Sequence, residues 1–189
     1  MKLLIDKVWY TYKARIRATE RLQSNNSHSQ FLLVWYALIS TILSIVSIRY
    51  PQLLGNNTDI FSVVMSVALL VVSLMVSNAD YRGRSINMRK NYLDMQHFYN
   101  SLLSKSLISP TQEMINKYTV LLNDCENHLS LDDKYSRVLS GDKALTRKPT
   151  RKEIFEVYLY IIIRIFYLFL LYILPFAVAF FLYAQNECQ

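Results

Sequence analysis

The sequence predicts an all-α membrane protein with three transmembrane helices, an N-terminal amphipathic helix and a cytoplasmic helical hairpin. Three observations carry this prediction. Hydrophobic residues make up 52% of the 189-residue chain, and they gather in windows free of Asp, Glu, Lys and Arg at 22–48, 60–79 and 165–186. Each window supplies the roughly 20 helical residues needed to cross a hydrocarbon core of about 30 Å. Outside the windows apolar residues recur at helical spacing, and the three glycines are too few for a loop-rich or phosphate-cradling fold.

Residues 1–27 read as a cytoplasmic amphipathic helix and linker. Ile5, Val8, Trp9, Tyr12 and Ile16 fall within about 100° of one another, with Lys7, Arg17 and Arg21 opposite. Such a helix lies on anionic headgroups or packs on a neighbouring helix, of its own chain or of another copy. The polar stretch "SNNSHSQ" (24–30) is expected to break it. The opening residues lack an uninterrupted apolar run, which argues against a signal peptide.

Residues 28–79 form a two-span hairpin. Its apolar runs are Phe31–Ile48 and Ile60–Val76, joined by "RYPQLLGNNTD", where Pro51 and Gly55 fit a tight turn. Residues 80–153 form the cytoplasmic hairpin and a basic linker. Tyr81, Ser85, Met88, Tyr92, Met95, Tyr99, Leu102 and Ser106 alternate by four and three, a coiled-coil seam. A second helix is expected to begin with Ser109 as N-cap, Pro110 at N1 and Gln112 completing a capping box, with a seam of Ile115, Tyr118, Leu122, Cys125 and Leu129. Gly141 and Pro149 loosen the return to the bilayer. Lys143, Arg147, Lys148, Arg151 and Lys152 form a juxtamembrane basic run, read as charge meeting anionic lipid, with nucleic acid or a nucleotide as the alternative.

Residues 154–189 hold the third span and a short outer tail. Arg164 lies inside the apolar stretch, but Ile165–Tyr183 suffices to cross, so Arg164 is expected to mark the membrane border, where its guanidinium reaches phosphates. Tyr158 and Tyr160 would then lie at headgroup depth. Bulky and aromatic, this span suits a lipid-facing periphery.

Basic residues set the orientation. Lys2, Lys7, Lys13, Arg15, Arg17 and Arg21 precede the first span, Arg49 alone lies in the first connection, and the tail has none. Thirteen lie between Asp80 and Glu153. The positive-inside rule therefore places the chain in an inner (cytoplasmic) membrane, with the N terminus inside and the C terminus outside. The net charge of +7 then needs no nucleic-acid partner. Cys125 and Cys188 fall on opposite sides and are not expected to pair, while the Asn56-Asn57-Thr58 sequon falls outside.

No enzyme signature stands out. Cys125 and His128 form a lone C-x-x-H, short of a four-ligand zinc site. Asp124, Glu126, Asp132 and Asp133 surround His128 but read as a solvated helix end. With no P-loop, G-x-S-x-G, H-E-x-x-H or dinucleotide fingerprint, the chain is expected to be a non-enzyme without cofactor or metal. The spans carry the more informative pattern. Ser40, Thr41 and Ser44, with Ala37, share one side of the first helix; Ser62, Ser66, Ser73 and Ser77 fall within about 60° on the second. Such stripes pack helices closely, or line a narrow wet path in an oligomer.

The stretches "KARIRATERLQSNNSHSQF", "NADYRGRSINMRKNYLDMQHFYNSL" and "LLNDCENHLSLDDKYSRV" resemble the SLATT proteins over roughly residues 8–140. Arg15 to Leu22 and Asn127-His128 match that family best. The resemblance implies a small bacterial membrane protein with a paired-span core, encoded in defence operons, that perturbs the membrane when a nucleotide-sensing or nucleotide-synthesising neighbour is triggered. The added C-terminal apolar segment is similar to a subgroup encoded beside reverse transcriptases. Two functions are expected in competition. One is a pore-like homo-oligomeric effector of anti-phage defence; the other is a membrane anchor recruiting a reverse transcriptase, its nucleic-acid product or a nucleotide-sensing protein.

Overall fold

A computed structural model describes residues 1–50, 58–104, 109–139 and 146–187. The stretch between the first two spans with Pro51, Gly55 and the two sequon asparagines lies outside these residues, as do Ser106, Gly141, Lys143 and Cys188. Every regular element among the described residues is a helix: α1 (Lys2–Arg49), α2 (Thr58–Ala79), α3 (Tyr81–Leu103), α4 (Gln112–Asn123), α5 (Ser130–Leu139) and α6 (Arg151–Glu187). Three helical stretches, in α1, in α2 with α3, and in α6, are long and apolar enough to cross a membrane. The chain divides into two compact units, one of Met1–Asn25 and Tyr81–Ile161, the other of Asn26–Asp80 and Ile162–Gln189.

Three helix boundaries differ from expectation. α1 does not break at residues 24–30. That stretch holds no Pro or Gly, its Ser, Asn and His cost at most about 0.7 kcal/mol each, and anchored helix on both sides carries the turn pattern through. α4 is capped by Thr111, not Ser109: the Thr111 hydroxyl accepts from the Met114 N–H at 3.4 Å. α4 also stops at Asn123, so Leu129 lies beyond it and is exposed, and α5 is a separate helix. Between α2 and α3 the chain continues with a single interruption, Asp80 at φ 40. Asp tolerates this left-handed conformation better than most residues because its side chain is short and polar.

In the first unit, Leu4, Val8 and Tyr12 of α1 meet Met95, Phe98 and Leu102 of α3 and Met114 of α4. Ile5, Trp9, Ile16, Tyr99, Tyr118, Leu121 and Leu122 pack around this core. Of the two settings open to the N-terminal helix, packing on its own chain is the one seen. The α3 seam is Ser85, Met88, Asn91, Met95, Phe98 and Leu102, with Tyr92 and Tyr99 displaced to its flank. On α4 the packed face is Met114, Tyr118, Leu121 and Leu122, leaving Ile115 exposed.

The start of α6 has a reciprocal cap that the linker reading overlooked. The Glu153 N–H donates to the Thr150 hydroxyl at 3.3 Å, and the Thr150 N–H donates to the Glu153 carboxylate at 2.8 Å. Two backbone donors are satisfied at once, the S/T-x-x-E arrangement.

In the second unit α6 contains Pro175, which has no N–H for the Leu171 carbonyl four residues earlier. Tyr36 of α1 donates its hydroxyl to that carbonyl at 2.7 Å, and the Trp35 ring N–H reaches the Tyr172 carbonyl at 3.4 Å. A neighbouring helix thus satisfies the group that proline frees, as the absence of water in lipid demands. His28 bonds the Tyr172 hydroxyl at 3.1 Å, and Phe31, Trp35, Tyr172 and Phe176 form one aromatic cluster. The third apolar helix therefore presents one side to the first.

Candidate functional site

The aromatic residues turned to α6 and the hydroxyl residues Ser40, Thr41 and Ser44 lie on roughly opposite sides of α1. Thr41 and Ser44 are exposed, and Ser40 is half-buried. On α2, half-buried Phe61, Met65, Leu69 and Val76 define the packed side. Ser66, Ser73 and Ser77 lie about a quarter-turn away and are exposed, with Ser62 half-buried between the two sides. Packing within the single chain does not consume either stripe. Thr41, Ser44, Ser62 and Ser66 donate to carbonyls one turn earlier, at 2.8, 2.9, 2.9 and 2.9 Å. Each such oxygen keeps acceptor capacity for water or for a second helix.

Arg15, which sequence reasoning used for orientation and for the family resemblance, has a buried role that it did not assign. It is 0% exposed. Its guanidinium donates to the Asn91 side-chain oxygen, to the Leu121 carbonyl at 2.9 Å and to the Leu122 carbonyl at 2.9 Å. Asn91 in turn donates to the Leu121 carbonyl at 2.8 Å. One charged side chain from α1 and one amide from α3 thus satisfy the last-turn carbonyls of α4, where a cation is favoured by the helix dipole. A signal was present: Val8, Arg15 and Leu22 are seven residues apart, so Arg15 occupies the same stripe as two fully buried apolar residues.

Cys125 and His128 belong to the same neighbourhood. The Cys125 thiol lies 3.6 Å from the Met88 sulfur, and burial raises its pKa against the opposing pull of Arg15. Burial, and then the positive charge of Arg15, lower that of His128. The Nε of Arg15 and Nδ1 of His128 are both buried without a hydrogen-bond partner among the described residues. The nearby carboxylates are engaged apart from one another: Asp124 with Asn91, Glu126 with Arg84 at 2.9 Å, Asp132 with Arg21 at 2.9 Å and Asp133 with Arg137 at 3.0 Å. Among the described residues no group of three or more His, Cys, Asp and Glu is placed to hold a metal ion.

α5 is fixed by charge. Its buried residues are Asp132, Ser136 and Arg137. Arg137 is 2% exposed and donates to both oxygens of Glu153, at 2.7 and 2.9 Å, and to Asp133. These bonds, then the Thr150 N–H, pull Glu153 down to about 2. Lys134 pairs with Glu156 at 2.6 Å. The basic residues Arg147, Lys148, Arg151 and Lys152 are exposed at the head of α6; Arg147 stays 68% exposed although it reaches Glu153 at 3.5 Å. Arg164 is half-buried. On the helix it shares a side with fully buried Val157 and with Glu153, turned from the exposed face of Ile162, Phe166 and Phe169.

Residues 1–182 match the SMODS and SLOG-associating 2TM effector domain, family 5. The match runs beyond the paired-span core and includes most of α6, so the third apolar helix is part of the matched domain. Neither the curated proteins nor the solved structures gave a match. SLATT effector domains are not known as enzymes. An all-helical chain with three membrane-length helices, matched over nearly its whole length, belongs to the SLATT family of membrane effector domains.

Proposed function

We infer that this protein is a pore-like, membrane-perturbing effector of a bacterial anti-phage defence system, acting as a homo-oligomer in the inner (cytoplasmic) membrane. The observation that carries this reading is the exposure of Thr41 and Ser44 on α1 and of Ser66, Ser73 and Ser77 on α2, with Ser40 and Ser62 half-buried at the edges of the two stripes. In lipid those hydroxyls would face hydrocarbon; in an assembly they face a neighbour or a file of water. Residues 1–25 and 81–161 fold into one unit, which supports placing both on one side of the bilayer. Their basic residues favour the cytoplasm, and three crossings then leave the C terminus outside. Opening the conduit dissipates ion gradients and ends the growth of an infected cell, an abortive infection.

The test is membrane potential, read with a dye after controlled induction in bacteria. Depolarisation ahead of viability loss is expected from the native chain. Ser40→Leu with Ser66→Leu should abolish it while leaving assembly intact; an assembled variant that still depolarises cells refutes the stripe as conduit.

A second reading is favoured by the exposed basic cluster Arg147, Lys148, Arg151 and Lys152. In it the spans only anchor, and the first unit recruits a reverse transcriptase, its nucleic-acid product or a nucleotide-sensing protein. Nucleic-acid binding through such a cluster weakens steeply with salt. Full-length protein in detergent that binds neither nucleic acid nor partner at low salt would exclude it.

A further inference from the structure

α6 is longer than its crossing requires. Its largely apolar stretch, interrupted by Glu156 and Arg164, runs from Ile154 to Ala184, about 46 Å of helix against a hydrocarbon core of about 30 Å. The surplus corresponds to Ile154–Ile163. One side of this segment belongs to the first unit, with Val157 fully buried and Glu156 and Tyr160 half-buried. The other side is uncovered: Phe155 is 66% exposed and Ile162 63%, with Tyr158 and Leu159 also exposed. Arg151, Phe155, Tyr158 and Ile162 fall within about 60° of one another, so exposed Arg151 heads the same stripe as the exposed rings.

The juxtamembrane reading of the basic run meets a geometric difficulty here. Lys152 is about 20 Å along the helix from Ile165, whereas a headgroup layer is only about 5–8 Å deep. An α6 standing upright would hold its cations beyond the headgroups and its aromatic stripe in water. Tilting by about 40° shortens the apolar stretch to a depth of about 35 Å and brings the stripe down into the interface.

We propose that the first three turns of α6, headed by Arg147, Lys148, Arg151 and Lys152, are a docking surface for anionic phospholipid headgroups. Charge decides the occupant. A second copy packed side by side through this stripe, in the same membrane orientation, would bring the two cation clusters to one level, whereas a phosphate surface complements them. Phe155 and Tyr158 supply the apolar bodies that settle at such an interface, and the Tyr158 hydroxyl keeps a wet end. The stripe is also continuous with the apolar face of Ile165, Phe166 and Phe169 on the same helix, each of them exposed.

The experiment uses full-length protein with Cys125 and Cys188 replaced by Ser. It is carried in nanodiscs of phosphatidylcholine alone, or with one third phosphatidylglycerol, and labelled with a polarity-sensitive fluorophore at Phe155→Cys. Val120→Cys, on the exposed side of α4, is the aqueous control. The label at 155 is expected to be quenched by shallow nitroxide lipids and shielded from iodide, at least twofold more strongly in the anionic discs. Replacing Lys148, Arg151 and Lys152 with Gln should remove the difference between the two lipids without moving the control. A label at 155 as open to iodide as the control overturns the proposal. So does a label shielded from iodide and lipid nitroxide alike, which would show that protein covers the stripe.

Discussion

Replacing Arg15 with Met tests whether the buried guanidinium holds the first unit together or merely tolerates its place. The substitution roughly keeps volume but removes three donors. The Leu121 carbonyl still receives the Asn91 amide at 2.8 Å, so two acceptors lose their partner: the Leu122 carbonyl and the Asn91 side-chain oxygen. At about 1–3 kcal/mol for each buried unsatisfied group, the loss is about 2–6 kcal/mol. Against it stands relief of a buried charge, an effect of about 1–4 kcal/mol when buried ionic groups are replaced by well-packed apolar ones. A net loss of about 2 kcal/mol follows, or a fall in Tm of about 4–8 °C for a chain of this size. The assay is thermal unfolding in detergent with Trp35→Phe, so that Trp9, packed against the core of the first unit, is the reporting fluorophore. An Arg15→Met chain as stable as its parent would refute the assignment of Arg15 as a structural pin.

Two further outcomes follow from other contacts. Glu153 is held at about 2 against an ordinary 4.5, so its contribution to stability is complete above pH 4.5 and is lost as pH falls toward 2. Amide exchange in α5, corrected for intrinsic rates, should accelerate relative to α3 across that window, and Glu153→Gln should show the faster exchange already at neutral pH. Tyr36→Phe should cost about 1 kcal/mol by stranding the Leu171 carbonyl, and Pro175→Ala, which restores an intrahelical N–H donor to it, should make the same substitution nearly neutral in thermal unfolding.

Most of the architecture was legible because lipid leaves little choice: a charge-free window of membrane length must be a helix. The amphipathic N-terminal helix and the α3 seam were also readable, since Val8, Tyr12, Met88, Met95 and Leu102 stand where their spacing places them. What failed was the treatment of charge. Arg15 was counted toward topology and Asn91 was skipped in favour of Tyr92, because a polar residue on an apolar stripe looks like noise until its acceptors are known. Those acceptors are main-chain carbonyls of α4, which no residue type encodes. The Thr150–Glu153 cap was legible but lay inside a stretch already read as linker. α5 was missed because its buried face is Asp132, Ser136 and Arg137, so apolar periodicity has nothing to detect.

The distribution of these contacts along the helices has its own logic. On α1 the apolar layer of Leu4, Val8 and Tyr12 lies farther from the first span than Arg15, which itself precedes Arg21 and its partner Asp132. On α3 the order is the same: Met95, Phe98 and Leu102 lie beyond Asn91, away from the second span. Apolar burial thus runs through the first unit, from Leu4 to Leu22, Met88 and Val157, and hydrogen bonds and ion pairs are added toward the Leu22 end. Apolar burial is insensitive to ions and indifferent to small shifts in register. Buried polar contacts demand one register, and surface-proximal ion pairs weaken as charge is screened. The ion pairs Arg21–Asp132 and Arg137–Glu153, which join α5 to α1 and α6, are part-buried and therefore screened little by salt, so they fix one register of these helices.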